Sequence, residues 1–159
     1  MTPILLLLTT YELTVQTYEF ATREQYFNKA RIIANKLNKP MLVIGNPKGR
    51  HPCGNVTLDI SPSGECPNEV AADVRDIPYP NKYFGSAITM HVLEHLEDPW
   101  NAITELQRVS NYVCILYPTR FSILARLHPD HKSLGWLWDN LGNSGIYEYY
   151  DEEMMINDI

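Results

Sequence analysis

The sequence predicts an α/β fold, in which a mostly parallel sheet carries helices on both faces. Five short apolar runs end at Gly, Pro or polar residues, as strands buried on both faces do. Helical patterns occur among these runs, and strands that alternate with helices pair in parallel. The 159 residues suffice for one domain of ordinary size, with a core that needs no metal or disulfide.

The five predicted strands are similar in length and in apolar character. The first ends at Gly45, the second before Ser61-Pro62 and the last before Tyr117-Pro118. Gly and Pro interrupt regular structure, so these residues set the strand ends. The predicted strands are Met41–Ile44, Val56–Ile60, Glu69–Asp73, Ser86–Met90 and Tyr112–Leu116.

Two helices are predicted with defined starts. Thr22 and Gln25 have the spacing of a capping box, in which each side chain satisfies an orphan backbone N–H, so we expect a helix to begin there. Asn38-Lys-Pro40 ends this helix. Asp98 followed by Pro99 predicts a second start, because Asp accepts backbone N–H bonds and Pro loses none at the first position. The first twenty residues fit both a strand and a helix, and we favour a helix.

We therefore divide the single domain, residues 1–159, into three parts. The N-terminal helical segment covers residues 1–38, the core covers residues 41–118, and an aromatic C-terminal tail covers residues 119–159. No internal repeat or low-complexity linker separates them.

Charge and cysteine content limit the classes of function that the protein can have. With 13 basic and 19 acidic residues the net charge is −6, and we expect no nucleic-acid partner because that affinity comes largely from clustered Lys and Arg. Cys53, Cys66 and Cys114 follow no regular spacing, which predicts reduced thiols in a cytoplasmic protein.

The apolar run Ile4–Leu8 lacks a basic flank and is too short to span a bilayer. We interpret it as a buried first element, with a membrane-surface anchor as the alternative.

Polar groups follow three of the predicted strands in order. Gly45-Asn-Pro-Lys-Gly49 follows the first, and its glycines let the backbone approach a ligand closely. Asp59 follows the second, where a carboxylate can accept bonds from two ribose hydroxyls. Asp73-Val-Arg-Asp76 follows the third, where a carboxylate can receive an adenine amino group. Ligands of open α/β sheets bind at the carboxyl ends of the strands, so these groups predict one ligand site.

Two stretches resemble a known family. Residues 72–84 contain an acidic residue before an Ile77-Pro-Tyr step, and residues 87–99 contain His91-Val-Leu-Glu-His95 after the fourth strand. From about residue 41 to residue 118 the chain resembles class I S-adenosylmethionine-dependent methyltransferases of the type 11 group. The resemblance implies a Rossmann-like sheet and S-adenosyl-L-methionine as the cofactor.

The resemblance also implies a set of cofactor contacts. Gly45 and Gly49 match the glycines beneath the methionine end, and Asp59 matches the acid that binds the ribose. Asp73 and Val74 match the adenine contacts. The predicted cofactor-binding residues are Gly45, Asn46, Lys48, Gly49, Asp59, Ile60, Asp73, Val74, Ile77 and His91. Among these, His91 is also the predicted catalytic residue, because it lies where the fourth strand opens onto the transferred methyl.

The chain departs from the family pattern at several positions. Pro47 replaces the middle glycine of the first loop, and Val43 stands where the first strand usually has an acidic residue. Phe84-Gly85 replaces a Phe-Asp pair. Residues 50–55 are too few for a crossover helix, so we predict that the family's first helix is missing. Lys48 or Arg50 would then pair with the cofactor carboxylate.

Several histidines have alternative interpretations. His91 and His95 flank Glu94 at a spacing that suits two metal ligands on a helix, but His-x-x-Glu-His is not the zinc-protease order. We predict no metal site, with the divalent cation that some relatives hold at this step as the alternative. We expect His95 to pack beneath the next helix. His51 with Cys53 and Cys66 matches no structural zinc spacing.

The C-terminal tail carries three further features. His128-Pro-Asp-His131 is interpreted as a solvated loop, and the resemblance offers an acceptor-side role for His128, Asp130 or His131 as the alternative. Trp136 and Trp138 are expected to cover the sheet or an oligomer contact, with a stacking platform for a planar acceptor as the alternative. The acidic stretch Glu148–Asp158 is predicted to be solvated or frayed.

These expectations lead to one function and its rivals. We predict a methyltransferase that acts on an unidentified acceptor, such as a small molecule, and a second subunit is one way to supply an acceptor lid. The first rival is a non-catalytic methyltransferase-like module for binding or scaffolding. The second is an adenine-nucleotide or dinucleotide binder of similar topology, which the missing Gly-x-Gly-x-x-Gly disfavours.

Overall fold

The computed structural model describes residues 2–152 and 154, and it contains one six-stranded sheet. The strand order is β3-β2-β1-β4-β5-β6; the first five strands are parallel and β6 is antiparallel to β5. The strands are β1 Met41–Ile44, β2 Val56–Asp59, β3 Glu69–Ala71, β4 Phe84–Met90, β5 Ser110–Leu116 and β6 Ile146–Tyr150. The predicted α/β class with a mostly parallel sheet is confirmed, as are all five predicted strands, although β2 and β3 end earlier and β4 and β5 begin earlier than predicted.

Helices cover both faces of the sheet. They are α1 Pro3–Lys36, α2 Pro99–Val109, α3 Ile123–Leu127 and α4 Leu134–Leu141, with a short 3₁₀ turn at Leu93–His95. Helix α2 begins as predicted, because Asp98 accepts a hydrogen bond from the backbone N–H of Trp100 at 3.1 Å. Alternate side chains of β5 face opposite ways: Tyr112 and Cys114 pack with α1, while Val113 and Ile115 pack with α2.

Helix α1 is longer than the sequence predicted. It is continuous from Pro3 to Lys36, so the capping box at Thr22 and Gln25 does not form. The Thr22 hydroxyl instead donates to the carbonyl of Tyr18 at 2.7 Å, one turn earlier in the same helix. The preference for a helix over the first twenty residues is confirmed, and the predicted end at Asn38-Lys-Pro40 is correct.

The N-terminal turns of α1 project from the domain. Residues 4–8 are exposed, so the prediction of a buried first element is wrong. Packing against the sheet begins only farther along, at Phe27, Ala30 and Ala34. Among residues 2–152 and 154, no helix has both the length and the apolar character to cross a bilayer.

Residues 119–150 form part of the fold and not a loose tail. Glu12 of α1 accepts hydrogen bonds from the Ser122 hydroxyl and the Ile123 N–H, which joins the N-terminal helix to α3. Burial raises the pKa of Glu12, but these hydrogen bonds outweigh that effect and hold it below its ordinary value. Trp136 and Trp138 pack against the core beside α2, so the prediction that they cover the sheet is confirmed.

Glu148 also contradicts the predicted solvated end. It lies in β6, and its carboxylate lies 2.5 Å from the Lys29 Nζ and 2.5 Å from the Tyr112 hydroxyl. Tyr150 donates to the same oxygen at 3.1 Å. The prediction failed because antiparallel pairing with β5 brings β6 under α1. Positions 153 and 155–158 of the predicted acidic end lie outside the described residues.

Helix packing explains why glycine follows Phe84 at a position where the family commonly has aspartate. A Cβ atom at Gly85 would lie 2.8 Å from the Ala34 Cα, because α1 crosses β4 at this point. We expect Gly85→Ala to lower the free energy of unfolding by ~1–2 kcal/mol, since the helix must shift to admit the methyl group. Denaturant titration measures the change. Gly135→Ala is the control, because a Cβ there meets open space within α4; equal behaviour of the two variants would contradict the prediction.

Candidate functional site

A cleft of about 620 Å³ opens at the carboxyl ends of the central strands. The chain crosses to β2 on one side of β1 and to β4 on the other, so the strand order reverses between β1 and β4. Such a reversal leaves a crevice at the strand ends, where ligands of α/β proteins bind. Glycine-loop residues, the end of β2, His91 and side chains from α1 and α3 all line this cleft.

The glycine loop forms the side of the cleft that follows β1. Gly45 has φ +97°, and a Cβ there would lie 2.8 Å from the Val92 Cγ2, so only glycine fits. Asn46 and Lys48 also line the cleft, whereas Gly49 lies outside its lining residues. The prediction that no helix connects β1 to β2 is confirmed, since residues 45–55 form turns and irregular backbone.

Asp59 lies at the end of β2 in a fixed orientation. Its Oδ2 accepts the Asn46 backbone N–H at 2.8 Å, and its Oδ1 accepts the Ser61 backbone N–H at 2.8 Å. Each oxygen keeps a second lone pair for a ligand. Ile60 follows it and is 73% exposed, so an apolar side chain stands beside the carboxylate.

A smaller hollow of about 130 Å³ continues the cleft past Asp59 toward the end of β3. Asp73 and Val74 line it. The paired Arg75 guanidinium, 2.6 Å away, holds the pKa of the Asp73 carboxyl below its usual range. Ile77 is buried in the core instead, where its N–H donates to the Glu105 carboxylate.

The cleft and the smaller hollow form one groove. The residues that line both are Gly45, Asp59, Ile60, Val92 and Leu96. Asp59 therefore stands where the two spaces meet, with the glycine loop on one side and Asp73 on the other. Most of the predicted cofactor-binding positions lie along this groove; only Gly49 and Ile77 lie outside its lining residues.

Helix α1 contributes residues that the sequence analysis did not identify. Gln16, Glu19 and Arg23 line the cleft. The buried Arg23 Nε has no hydrogen-bond partner among residues 2–152 and 154. Burial lowers the pKa of Arg23, the nearby Glu19 raises it and the charge of Arg50 lowers it further. No local pattern marks these positions, because the packing of α1 on the sheet decides which face meets the cleft.

Several histidines line the cleft. His91 adopts φ +57°, which is uncommon for a residue with a side chain, and its Nδ1 lies 3.2 Å from the Glu94 Oε1. His128 and His131 also line the cleft, with ring centroids 4.5 Å apart. Burial lowers the pKa of His131.

Three predictions for this region need correction. His95 is exposed at the cleft and does not pack beneath α2, because the 3₁₀ turn points it toward the segment after α3. The loop at residues 128–131 is exposed over residues 128–130, as predicted, but His131 is half-buried, and His128 and His131 line the cleft; Asp130 is not among the lining residues. Cys53 and Cys66 form a disulfide, so only Cys114 is a free thiol within the described part of the chain. The sequence offered no sign of this pairing because two separate loops bring the cysteines together.

A family model and a solved structure are similar to this chain. The family model described as a methyltransferase domain matches residues 18–112. A solved structure of a SAM-dependent methyltransferase from Thermotoga maritima, described as a possible histamine N-methyltransferase, is similar at 16% sequence identity and a TM-score of 0.43. That similarity covers 92% of this chain and 76% of the other. No curated protein matches the chain significantly. Because the family match spans more than half of the sequence, the chain belongs to the class I methyltransferases.

Proposed function

We propose that this protein binds S-adenosyl-L-methionine in the groove and transfers its methyl group to a small acceptor in the 620 Å³ cleft. The carboxylate of Asp59 carries this proposal. It stands at the junction of the two spaces, two backbone N–H groups fix it, and its free lone pairs face the groove. Two vicinal ribose hydroxyls are the donors that such a carboxylate suits.

The adenine end belongs in the 130 Å³ hollow. Ile60 and Val74 supply apolar contacts for a planar base, and the Asp73 carboxylate accepts its amino group. Arg75 holds that carboxylate ionised and oriented. Polar groups that are fixed before binding lower the ordering cost of recognition.

The methionine end lies toward α1. A bare loop at residues 45–55 has no helix N-terminus to offer the cofactor carboxylate. Arg23 and Arg50 both line the cleft beside this loop, and neither guanidinium has an ion-pair partner among the described residues. We assign the carboxylate to Arg23, with Lys48 or Arg50 in support. Helix α1 thereby replaces the missing crossover helix.

The chemistry requires positioning above all. When bound, S-adenosyl-L-methionine would supply a methyl group on its sulfonium, and the neutral thioether of S-adenosylhomocysteine would be the leaving group. The groove holds this donor on one side, and the cleft holds the acceptor in line on the other. Where the acceptor carries a proton, His91 takes it at Nε2, and the Glu94 carboxylate beside Nδ1 stabilises the resulting imidazolium.

Titration of the full chain with four ligands tests the proposal. By calorimetry we expect S-adenosylmethionine and S-adenosylhomocysteine to bind, and NAD and ATP to show no binding, because the groove lacks a helix N-terminus for a pyrophosphate. If neither S-adenosylmethionine nor S-adenosylhomocysteine binds, the proposal is contradicted. Binding without methyl transfer to any acceptor in a broad screen would favour the non-catalytic module, which the missing crossover helix makes the second candidate.

The role of Arg23 has its own test. Arg23→Met should weaken S-adenosylhomocysteine about tenfold or more, because a charge-assisted hydrogen bond contributes ~1.5–3 kcal/mol. Methylthioadenosine lacks the amino-acid carboxylate, so its affinity should not change. Arg31→Met is the matched control, since Arg31 lies on the same helix but does not line the cleft. Equal losses for both ligands would show that Arg23 acts on the fold and not on the carboxylate.

A further inference from the structure

Three potential metal ligands converge on the acceptor side of the cleft. Glu94, His95 and His131 each offer one ligand atom, and these atoms all lie within 4.8 Å of one another. Ligand atoms that share one tetrahedral zinc ion at ~2.0–2.2 Å lie ~3.3–3.6 Å apart, so side-chain rotations must draw these atoms closer together around the cation. Glu94 and His95 lie in the 3₁₀ turn after β4, and His131 lies between α3 and α4.

The Glu94 carboxylate is buried and only half satisfied. The residue is 1% exposed, and its Oε1 lies 3.2 Å from the His91 Nδ1. Its Oε2 has no hydrogen-bond partner within residues 2–152 and 154. An unpaired oxygen of a buried carboxylate is costly, and a directly bound cation removes that cost. This unsatisfied oxygen points to a ligand independently of the three-residue cluster.

Backbone carbonyls orient both imidazoles. The His95 Nδ1 lies 3.1 Å from the Asp130 carbonyl oxygen, and the His131 Nδ1 lies 2.8 Å from the Ala125 carbonyl oxygen. A carbonyl only accepts, so each Nδ1 carries the proton and each Nε2 keeps its lone pair. Histidines that bind metals are held in this way, with the distal N–H bonded to a carbonyl or carboxylate.

We propose that Glu94, His95 and His131 form a three-ligand site for a divalent transition-metal cation, with Zn²⁺ as the best match. One carboxylate and two imidazoles make a known zinc ligand set, whereas Mg²⁺ and Ca²⁺ prefer sites built from oxygen alone. This inference departs from the sequence-based expectation of no metal site and favours the alternative of a divalent cation at Glu94 and His95, with His131 as a third ligand. The cluster became visible only when folding placed His131 beside the 3₁₀ turn.

The site leaves one coordination position toward the cleft. All three ligands line the same 620 Å³ space in which we place the acceptor. The fourth position therefore suits an oxygen or nitrogen donor of the acceptor, and coordination would hold that atom and lower the pKa of a bound hydroxyl. Only this last consequence depends on the proposed function; the metal site itself does not.

Titration of the metal-free protein with Zn²⁺ and with Co²⁺ tests the site. The full chain, kept under non-reducing conditions so that the Cys53–Cys66 disulfide stays closed, should bind one equivalent of each metal in the absence of any cofactor. His95→Ala and His131→Ala should each weaken binding by at least about 100-fold, more than outer-sphere changes do. The Co²⁺ absorption spectrum should show nitrogen and oxygen ligation without a thiolate band.

The control is His51→Ala, because His51 lines the same cleft but does not belong to the cluster. It should bind Zn²⁺ as the unsubstituted protein does. Circular dichroism identifies any variant that fails to fold, and Glu94→Gln, which keeps the shape of the side chain, provides a further conservative test. Absence of stoichiometric binding, or binding unchanged in His95→Ala and His131→Ala, would overturn the proposal. Cofactor titration is a separate readout, so failure of the metal site and failure of the proposed function are distinguishable.

Discussion

Asp59→Asn should weaken the binding of S-adenosylhomocysteine by about 100-fold, since hydrogen bonds to a charged group contribute ~1.5–3 kcal/mol. The amide is isosteric, but it carries no charge and has one acceptor oxygen in place of two. That oxygen can still accept the Asn46 N–H, but the Ser61 N–H loses its acceptor, so the control must lose a backbone N–H acceptor in the same way. Calorimetric titration measures the change in dissociation constant.

Glu69→Gln is the matched control for Asp59→Asn. Glu69 also accepts backbone N–H groups, those of Gly64 and Cys66, and it lies in β3 outside the residues that line the groove. This variant should bind the cofactor as the unsubstituted protein does. If Asp59→Asn bound with unchanged affinity, the ribose contact and the cofactor placement built on it would both be wrong.

Glu148→Ala should lower the free energy of unfolding by ~2–3 kcal/mol at neutral pH. Most of this loss comes from the buried Tyr112 hydroxyl, which would have no acceptor and would bear a desolvation cost of ~1–3 kcal/mol. The ion pair with Lys29 adds less, because the Lys29 side chain is 41% exposed and water screens the interaction. Urea denaturation monitored by circular dichroism measures the loss.

The effect of Glu148→Ala should depend on pH. Burial raises the pKa of Glu148, but Lys29 and the tyrosine hydroxyls outweigh it, so the pKa lies below its ordinary value of 4.5. A carboxyl with a lowered pKa stabilises the fold above the unfolded pKa, and this contribution disappears as the pH falls through the folded pKa. The difference between Glu148→Ala and the unsubstituted protein should therefore shrink in acid. Glu152→Ala, at an exposed position outside this cluster, is the control; an equal loss there would contradict the assignment.

The central strands and the start of α2 could be predicted because their signals are local. Met41–Ile44 is an uninterrupted apolar run with a glycine after it, and the structure shows a buried strand with the same bounds. Asp98-Pro99 encodes a helix start within two residues, and the Asp98 side chain caps α2 as expected. The missing crossover helix followed from counting residues between two strands.

Other features could not be predicted because distant parts of the chain create them. Thr22 and Gln25 carry a helix-start signal, yet the helix runs straight through, since its neighbours also favour helix and its second half packs on the sheet. Residues 146–150 become a strand only because the edge of β5 is available for pairing. Neither outcome is visible in a short window of sequence.

The residues of the candidate site also fall into two groups, those that local sequence predicts and those that only the folded structure brings together. The sequence by itself determined the five parallel strands along the chain and the acidic residue at the end of β2, because a strand end and its side chains are set by adjacent residues. Only the tertiary structure decided that Arg23 meets the cleft, that His131 joins Glu94 and His95, and that Cys53 reaches Cys66. These contacts join residues far apart in the chain, and the packing of helices and loops on the sheet brings them together.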